Sequence, residues 1–221
     1  MKDINLRVEG IYDVRTIQFL KSIGINCYSF DFRPRSFNFL QQYKFLQILS
    51  EEYNKDMHCF LRYENERDFV IQKMLDDLRE LFPLFPLEFS DDLGRKYYDG
   101  FKHPYWWHYR ESNELNSLLE SEYLEGIVID ADMFGQYLSR EAILSFLQIF
   151  YVRSSERYEQ QGPLKLIIRA QWQNLKKLLA NFDSDHVKVE YASLPIDQSI
   201  EVCYRNVDLN KLRKNCENIN K

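Results

Sequence analysis

A chain of 221 residues, 45% hydrophobic and 29% charged, is long enough to bury a substantial core in one domain and too apolar for a disordered or fibrous protein. Its formal net charge of -5 excludes a general attraction to nucleic acid or to an anionic membrane surface, so any affinity for phosphate has to be local. Met1 to Asn5 form no signal-type apolar run, and the longest uncharged apolar stretch, Ala142 to Val152, is too short to span a bilayer, so the expected location is the cytoplasm.

Short β-prone runs alternate with helical stretches along the chain, the pattern of βαβ units around a parallel sheet. The first run, Ile4 to Glu9, precedes Val14, Ile17 and Leu20 at helical spacing. Asn26 to Phe32 and Met57 to Arg62 are the second and third strands, the latter followed by Phe69, Val70, Met74 and Leu78. Pro83 and Pro86 disturb the fourth run, Leu84 to Phe89, and Gly94 and Gly100 break the polar stretch after it, so a short or irregular fourth unit is expected. The fifth strand, Tyr105 to Tyr109, belongs to the run Pro104-Tyr105-Trp106-Trp107-His108-Tyr109, whose alternate rings should face opposite sides as core. Leu115, Leu118 and Leu119 follow it.

Gly126 to Asp130 is the sixth strand, before Ile143, Leu144, Leu147 and Phe150; Leu164 to Arg169 is the seventh, before Leu175, Leu178, Leu179 and Phe182. The eighth is Val187 to Tyr191, with Ile200 to Tyr204 as a second candidate, and Leu209, Leu212, Cys216 and Ile219 form the last helical stripe. No linker or charge block marks a second domain. The expected fold is α/β, a single (β/α)8 TIM barrel over residues 1–221 with a short or irregular fourth β/α unit. Cys27, Cys59, Cys203 and Cys216 lack CxxC pairs and histidine partners at metal spacing, so they are read as reduced thiols, with no disulfide, metal or cofactor implied.

Functional groups in such a barrel project from the C-terminal strand ends. Those positions hold Arg7 and Glu9, Asp31 and Arg33, Arg62, Glu88, His108 and Arg110, Asp130 and Asp132, Arg169 and Glu190. Converging carboxylates and guanidiniums can bind a small anionic ligand or carry acid–base chemistry; they can equally form a mutually paired, solvated rim. His108, alone among aromatic rings, reads as a hydrogen-bonded structural residue before it reads as a base. The tyrosine-rich stretch Tyr151 to Tyr158 is either a surface for a protein partner or a solvated helix end.

Arg7-Val8-Glu9-Gly10-Ile11 is similar to the Lys-Ile-Cys-Gly-Ile first strand of phosphoribosylanthranilate isomerase, and Ile25 to Ser36 resembles that family's second strand and loop. Met57 to Tyr63 resembles its third strand, Gly126-Ile127-Val128-Ile129-Asp130 its sixth, and Arg169 to Phe182 its seventh loop and helix. The resemblance implies a metal-independent barrel that isomerises a phosphorylated aminoaldose, with a first-strand cysteine as base and a sixth-strand aspartate as acid. Glu9 stands in the base's place and Asp130 in the acid's.

Several family features are replaced. The glycine turns that hold substrate phosphate become Arg169-Ala170-Gln171 and either Tyr191-Ala192-Ser193 or Tyr204-Arg205-Asn206, and the chain has only seven glycines. The Ser-Pro-Arg after strand two becomes Ser36-Phe37-Asn38, the fourth-strand Gln-Leu-His-Gly becomes Glu88-Phe89-Ser90-Asp91, and the mobile loop after strand six shrinks to Ala131 to Gly135. Arg169 or Arg205 could hold a phosphorylated ligand through side-chain bonds instead, whereas pairing of Arg169 with Asp130 or Glu190 is the structural alternative. The leading expectation is a binding module for a small anion or a protein without the parent activity. The alternative is an active isomerase with Glu9 as base and Asp130 as acid.

Overall fold

The computed structural model describes residues 5–110, 114–134, 140–153, 164–175, 188–196, 201–203 and 206–219. Eight parallel strands close a barrel in sequence order: β1 Asn5–Glu9, β2 Cys27–Asp31, β3 His58–Tyr63, β4 Leu87–Phe89, β5 Tyr105–His108, β6 Leu124–Asp130, β7 Lys165–Arg169 and β8 Lys188–Pro195. Closure is between β8 and β1, where Asn5 faces Tyr191 and Glu9 faces Pro195. Among the described residues no helix is long and apolar enough to cross a membrane.

The helices between strands are α1 Val14–Ser22, α2 Gln42–Glu52, α3 Asp68–Arg79, α4 Arg95–Asp99, α5 Glu114–Leu119 and α6 Arg140–Arg153, and α7 Leu209–Ile219 ends the described chain. Asp13 caps α1: its carboxylate accepts the Thr16 amide at 2.8 Å, satisfying one of the helix's free N–H groups. In α3 the buried stripe is Ile71, Met74, Leu75 and Leu78, a three- and four-residue spacing that turns Phe69 out to solvent, contrary to its expected place in the core. Leu144 of α6 is likewise at the surface, while Leu147 and Phe150 are buried. Of the stripe after β7, Leu175 is buried and Leu178, Leu179 and Phe182 lie outside the described residues.

The fourth unit is short, as expected, with a three-residue strand and a five-residue helix. Pro86 has no N–H for the ladder; its carbonyl accepts the Leu61 amide, and regular pairing starts only at Leu87. Strand eight differs from expectation by continuing past Tyr191 to Pro195. The period of two persists there: Ala192 and Leu194 join the outer core, while Ser193 points inward to Arg7 and Glu9. Tyr191-Ala192-Ser193 is therefore strand and not a turn, and Glu190 lies well before the barrel mouth. The rival run becomes β9, Glu201–Cys203, which pairs antiparallel with β10, Asn206–Val207, outside the barrel.

Alternation on every strand separates two cores. Outward residues such as Val8, Phe30, Leu61, Tyr105, Trp107 and Ile129 meet the helices. Inward, Cys27, Phe60, Trp106, Val128 and Ile167 form an apolar layer with Tyr191 against it. The aromatic run thus divides as its period requires, Trp106 facing in and Tyr105 and Trp107 facing out. Gly126 makes room for that layer: a Cβ there would lie 2.4 Å from the Trp106 ring. Cys27, Cys59 and Cys216 are buried.

Candidate functional site

Above the apolar layer the barrel interior is ionic. Arg7 is fully buried, its guanidinium carbon 4.8 Å from the centre of the Phe60 ring beneath it. Its Nη1 donates to Glu88 at 2.6 Å, its Nη2 to Glu9 at 3.0 Å and its Nε to Ser193 at 2.8 Å. Glu88, also fully buried, accepts further bonds from Ser29 Oγ at 3.1 Å and His108 Nε2 at 2.5 Å. An ionised carboxylate only accepts, so His108 carries its proton on Nε2. Burial, reinforced by the positive field of Arg62, pushes the His108 pKa down to about 4, leaving the ring neutral at pH 7.

Glu9 is the hub of the upper part. Its Oε1 accepts from Ser193 Oγ at 2.6 Å as well as from Arg7, and its Oε2 accepts from Arg169 Nε at 2.7 Å and Arg62 Nη1 at 3.3 Å. Burial disfavours the ionised form, but the guanidiniums of Arg169, Arg7 and Arg62 together outweigh it and hold the carboxyl well below the usual carboxylate range. Burial likewise opposes Glu88, and Arg7 and the His108 bond reverse that effect to lower its pKa. Arg169, raised first by Glu9 and secondarily by Asp130 against the cost of burial, reaches from this hub to Asp130, 3.1 Å from its Nη1. The Asp130 side chain is about half exposed, at 47%.

Arg62 is less well compensated. It is 6% exposed, has its ion pair with Glu9 at 3.3 Å, and its Nε is buried without an acceptor. Burial accordingly lowers its pKa despite the opposing carboxylates Glu9 and Glu88. Beside it, Asp31 and Arg33 form a side-on pair with bonds of 2.8 and 2.7 Å, and Ser36 Oγ donates to the same carboxylate at 2.6 Å. Between this pair and Arg62 opens a cavity of about 210 Å³ lined also by Gly10, Phe37, Arg169 and Ile196. Gly10, in the cavity's lining, has φ of 77° and packs so close to Asn38 that a Cβ would fall 2.5 Å from its side-chain amide nitrogen.

Arg7, Glu9, Arg62, Glu88, His108, Asp130 and Arg169 thus form one connected network, with Asp31 and Arg33 paired on the adjoining lip. Arg205 lies outside the described residues. Arg110 is a surface group near Glu64 and Asp92, and Asp132 is an exposed residue of the 3₁₀ turn Ala131–Phe134. Sequence reasoning passed over Ser29 and Ser193, which the period of two would have placed inward beside Arg7. A second hollow of about 420 Å³ adjoins Asp130, Asp132, Arg169 and Gln171, and a third, of about 660 Å³, sits at the opposite end of the barrel beside His58 and Arg213. No cluster with the composition of a metal site occurs among the described residues.

The backbone amides at the ends of β7 and β8 are already used. Ala170 N–H donates to Ser193 O at 2.8 Å, and Ile196 N–H to Glu9 O at 2.9 Å. Neither is free for an anion bound by main-chain amides.

No family model matches the sequence, and no curated protein matches it. Solved structures do match over the whole length. A phosphoribosyl anthranilate isomerase from Thermotoga maritima superposes with a TM-score of 0.69 at 13% identity, covering 99% of each chain. TrpF from Jonesia denitrificans gives 0.68 at 11% identity, covering 99% of this chain and 98% of its own. A phosphoribosyl anthranilate isomerase in complex with reduced 1-(o-carboxyphenylamino)-1-deoxyribulose 5-phosphate gives 0.67 at 12% identity, again with 99% of each chain covered. At such identities the likeness concerns the fold, and the chain has the closed (β/α)8 barrel of the phosphoribosylanthranilate isomerases.

Proposed function

We propose that this chain is a binding module built on the isomerase barrel, taking a small anion at the mouth and lacking aldose–ketose isomerisation. The observation that carries the reading is the state of Glu9, whose two carboxylate oxygens are engaged by three guanidiniums and a serine hydroxyl. A general base works best with a pKa near the operating pH and must reach the proton it removes. Glu9 is held in the opposite condition, low in basicity and turned into its own ion pairs. The guanidinium side chains of Arg33, Arg62 and Arg169 line the adjoining cavity, a setting that suits an incoming small anion.

Two assays test this. Purified protein is expected to show no turnover of phosphoribosylanthranilate and not to rescue a tryptophan auxotroph lacking the isomerase; rescue would reject the proposal. Titration calorimetry against small anions should show saturable binding that weakens in Arg62→Gln. The active-isomerase reading draws its support from Asp130, half exposed beside an open hollow in the acid's place. It requires that Glu9→Gln and Asp130→Asn abolish a measurable isomerase activity in folded protein.

A further inference from the structure

Two of the hollows meet at one side chain. Among the described residues Arg169 alone lines both the 210 Å³ cavity and the 420 Å³ hollow beside β6. Its guanidinium stands between them, Nε donating to Glu9 at 2.7 Å and Nη1 to Asp130 at 3.1 Å. With that side chain turned aside the two spaces join, and the joined cleft falls within the range of about 300–1,000 Å³ that encloses larger ligands.

Of the three arginines on Glu9, Arg169 is the one able to leave. Arg7 has no exposed surface and is also tied to Glu88 and Ser193, and Arg62 is 6% exposed. The Arg169 side chain is 30% exposed. Its departure strands neither oxygen of Glu9, because Oε1 keeps Arg7 and Ser193 and Oε2 keeps Arg62. Nor does the guanidinium lose its counter-charge, since Asp130 and the exposed Asp132 both stand on the wall of the outer hollow. The backbone has no part in the movement. Arg169 is held in register between Asp130 of β6 and Ser193 of β8, and the next amide, that of Ala170, donates to Ser193 O at 2.8 Å. Turning is thus confined to the staggered torsions of one long side chain.

We propose that Arg169 is a two-position latch on the barrel mouth: turned in on Glu9 it separates the two hollows, and turned out between Asp130 and Asp132 it joins them into one cleft. The inward position is preferred because a buried carboxylate attracts a cation through less screening than an exposed one. A ligand long enough to occupy both hollows binds the outward position alone and shifts the balance toward it. The latch stands apart from the small-anion reading, which concerns the 210 Å³ cavity with Arg169 turned in.

Solvent exchange of the arginine Nε–H protons, followed by NMR on the full chain and on Asp132→Asn, tests it. Among the described residues Arg169 pairs with Glu9 and Asp130 but not with Asp132, so an outward-turned guanidinium is what would feel the loss of that carboxylate. Exchange at Arg169 should slow about two- to fivefold in the variant, the share an exposed ion pair adds to the outward population, and exchange at Arg7 should not change. A fixed ion pair gives the opposite sign, because removing a nearby negative charge speeds base-catalysed exchange. Unchanged or faster exchange at Arg169 therefore overturns the latch. Should Asp132→Asn fail to fold, low concentrations of urea on the unaltered protein decide. Exchange at Arg169 that is indifferent to urea supports local turning; exchange that rises in step with Arg7 means release by unfolding and overturns the proposal.

Discussion

The two halves of the barrel interior are filled by opposite means. The lower layer, Cys27, Phe60, Trp106, Val128 and Ile167, is held by apolar contact, with the Phe60 ring 5.8 Å from both Trp106 and Tyr191. The upper half is filled by Arg7, Glu9, Arg62, Glu88 and Arg169, each depending on charges from other strands. Apolar contact is non-directional and tolerates compensating changes of volume. A buried ionic network fails when one member goes, because the remaining charges are left without partners in a medium that solvates them poorly.

The contrast should be largest at Arg7. Arg7→Ala strands Glu88 and leaves Glu9 with two cations, and a loss of about 3–5 kcal/mol in unfolding free energy is expected from urea denaturation. Replacing both partners, Arg7→Met with Glu88→Leu, should cost less than the sum of the two single changes, with a coupling of about 0.5–3 kcal/mol. Strict additivity would remove the distinction between the two halves. In the lower layer Gly126→Ala drives a methyl group into the Trp106 ring and against the Lys165 carbonyl of β7, and should cost about 1–3 kcal/mol in the same measurement, through overpacking and not through charge.

Acid separates the halves in another way. His108 is neutral when folded because its pKa falls from 6.5 to about 4, so between those values the unfolded chain binds more protons. Stability should therefore be full above about pH 6.5 and decline toward about pH 4, with the depressed carboxyls of Glu9 and Glu88 extending the loss below their ordinary value of 4.5. His108→Gln should flatten the upper part of that slope, and a slope unchanged in the variant would remove the histidine from the explanation. The smallest effect is expected at Arg110, a rim group with 48% of its side chain exposed beside Glu64: Arg110→Ala should shift stability by less than about 1 kcal/mol, and less still in high salt.

The barrel was legible because hydrophobic period and chain order are local properties. Eight strands and the weak fourth unit follow from β-prone runs, prolines and helical stripes, and the structure moves their bounds by a few residues. Strand eight was cut short because Ala192-Ser193 resembles a turn in isolation; only the inward bonds of Ser193 to Arg7 and Glu9 make it strand. The charged residues of the mouth were readable from their places at strand ends. Their partners were not, because Arg7 meets Glu88 across 81 residues and Glu9 meets Arg169 across 160, distances over which one sequence records no pairing. The shortage of acceptors around Arg62 was equally hidden, since it depends on the geometry of a single 3.3 Å contact.

Glu9, shared among three arginines, also constrains how the sequence can drift. Exchanging it alone for a neutral residue would leave Arg7, Arg62 and Arg169 repelling one another around a vacated acceptor. Changing any one arginine first meets the mirror-image problem. Single steps in either direction are expected to cost stability, so variation at this position should be concerted with positions on β1, β3 and β7. The hub therefore works as an epistatic lock on the barrel mouth, and libraries meant to install new chemistry there should randomise these four positions together.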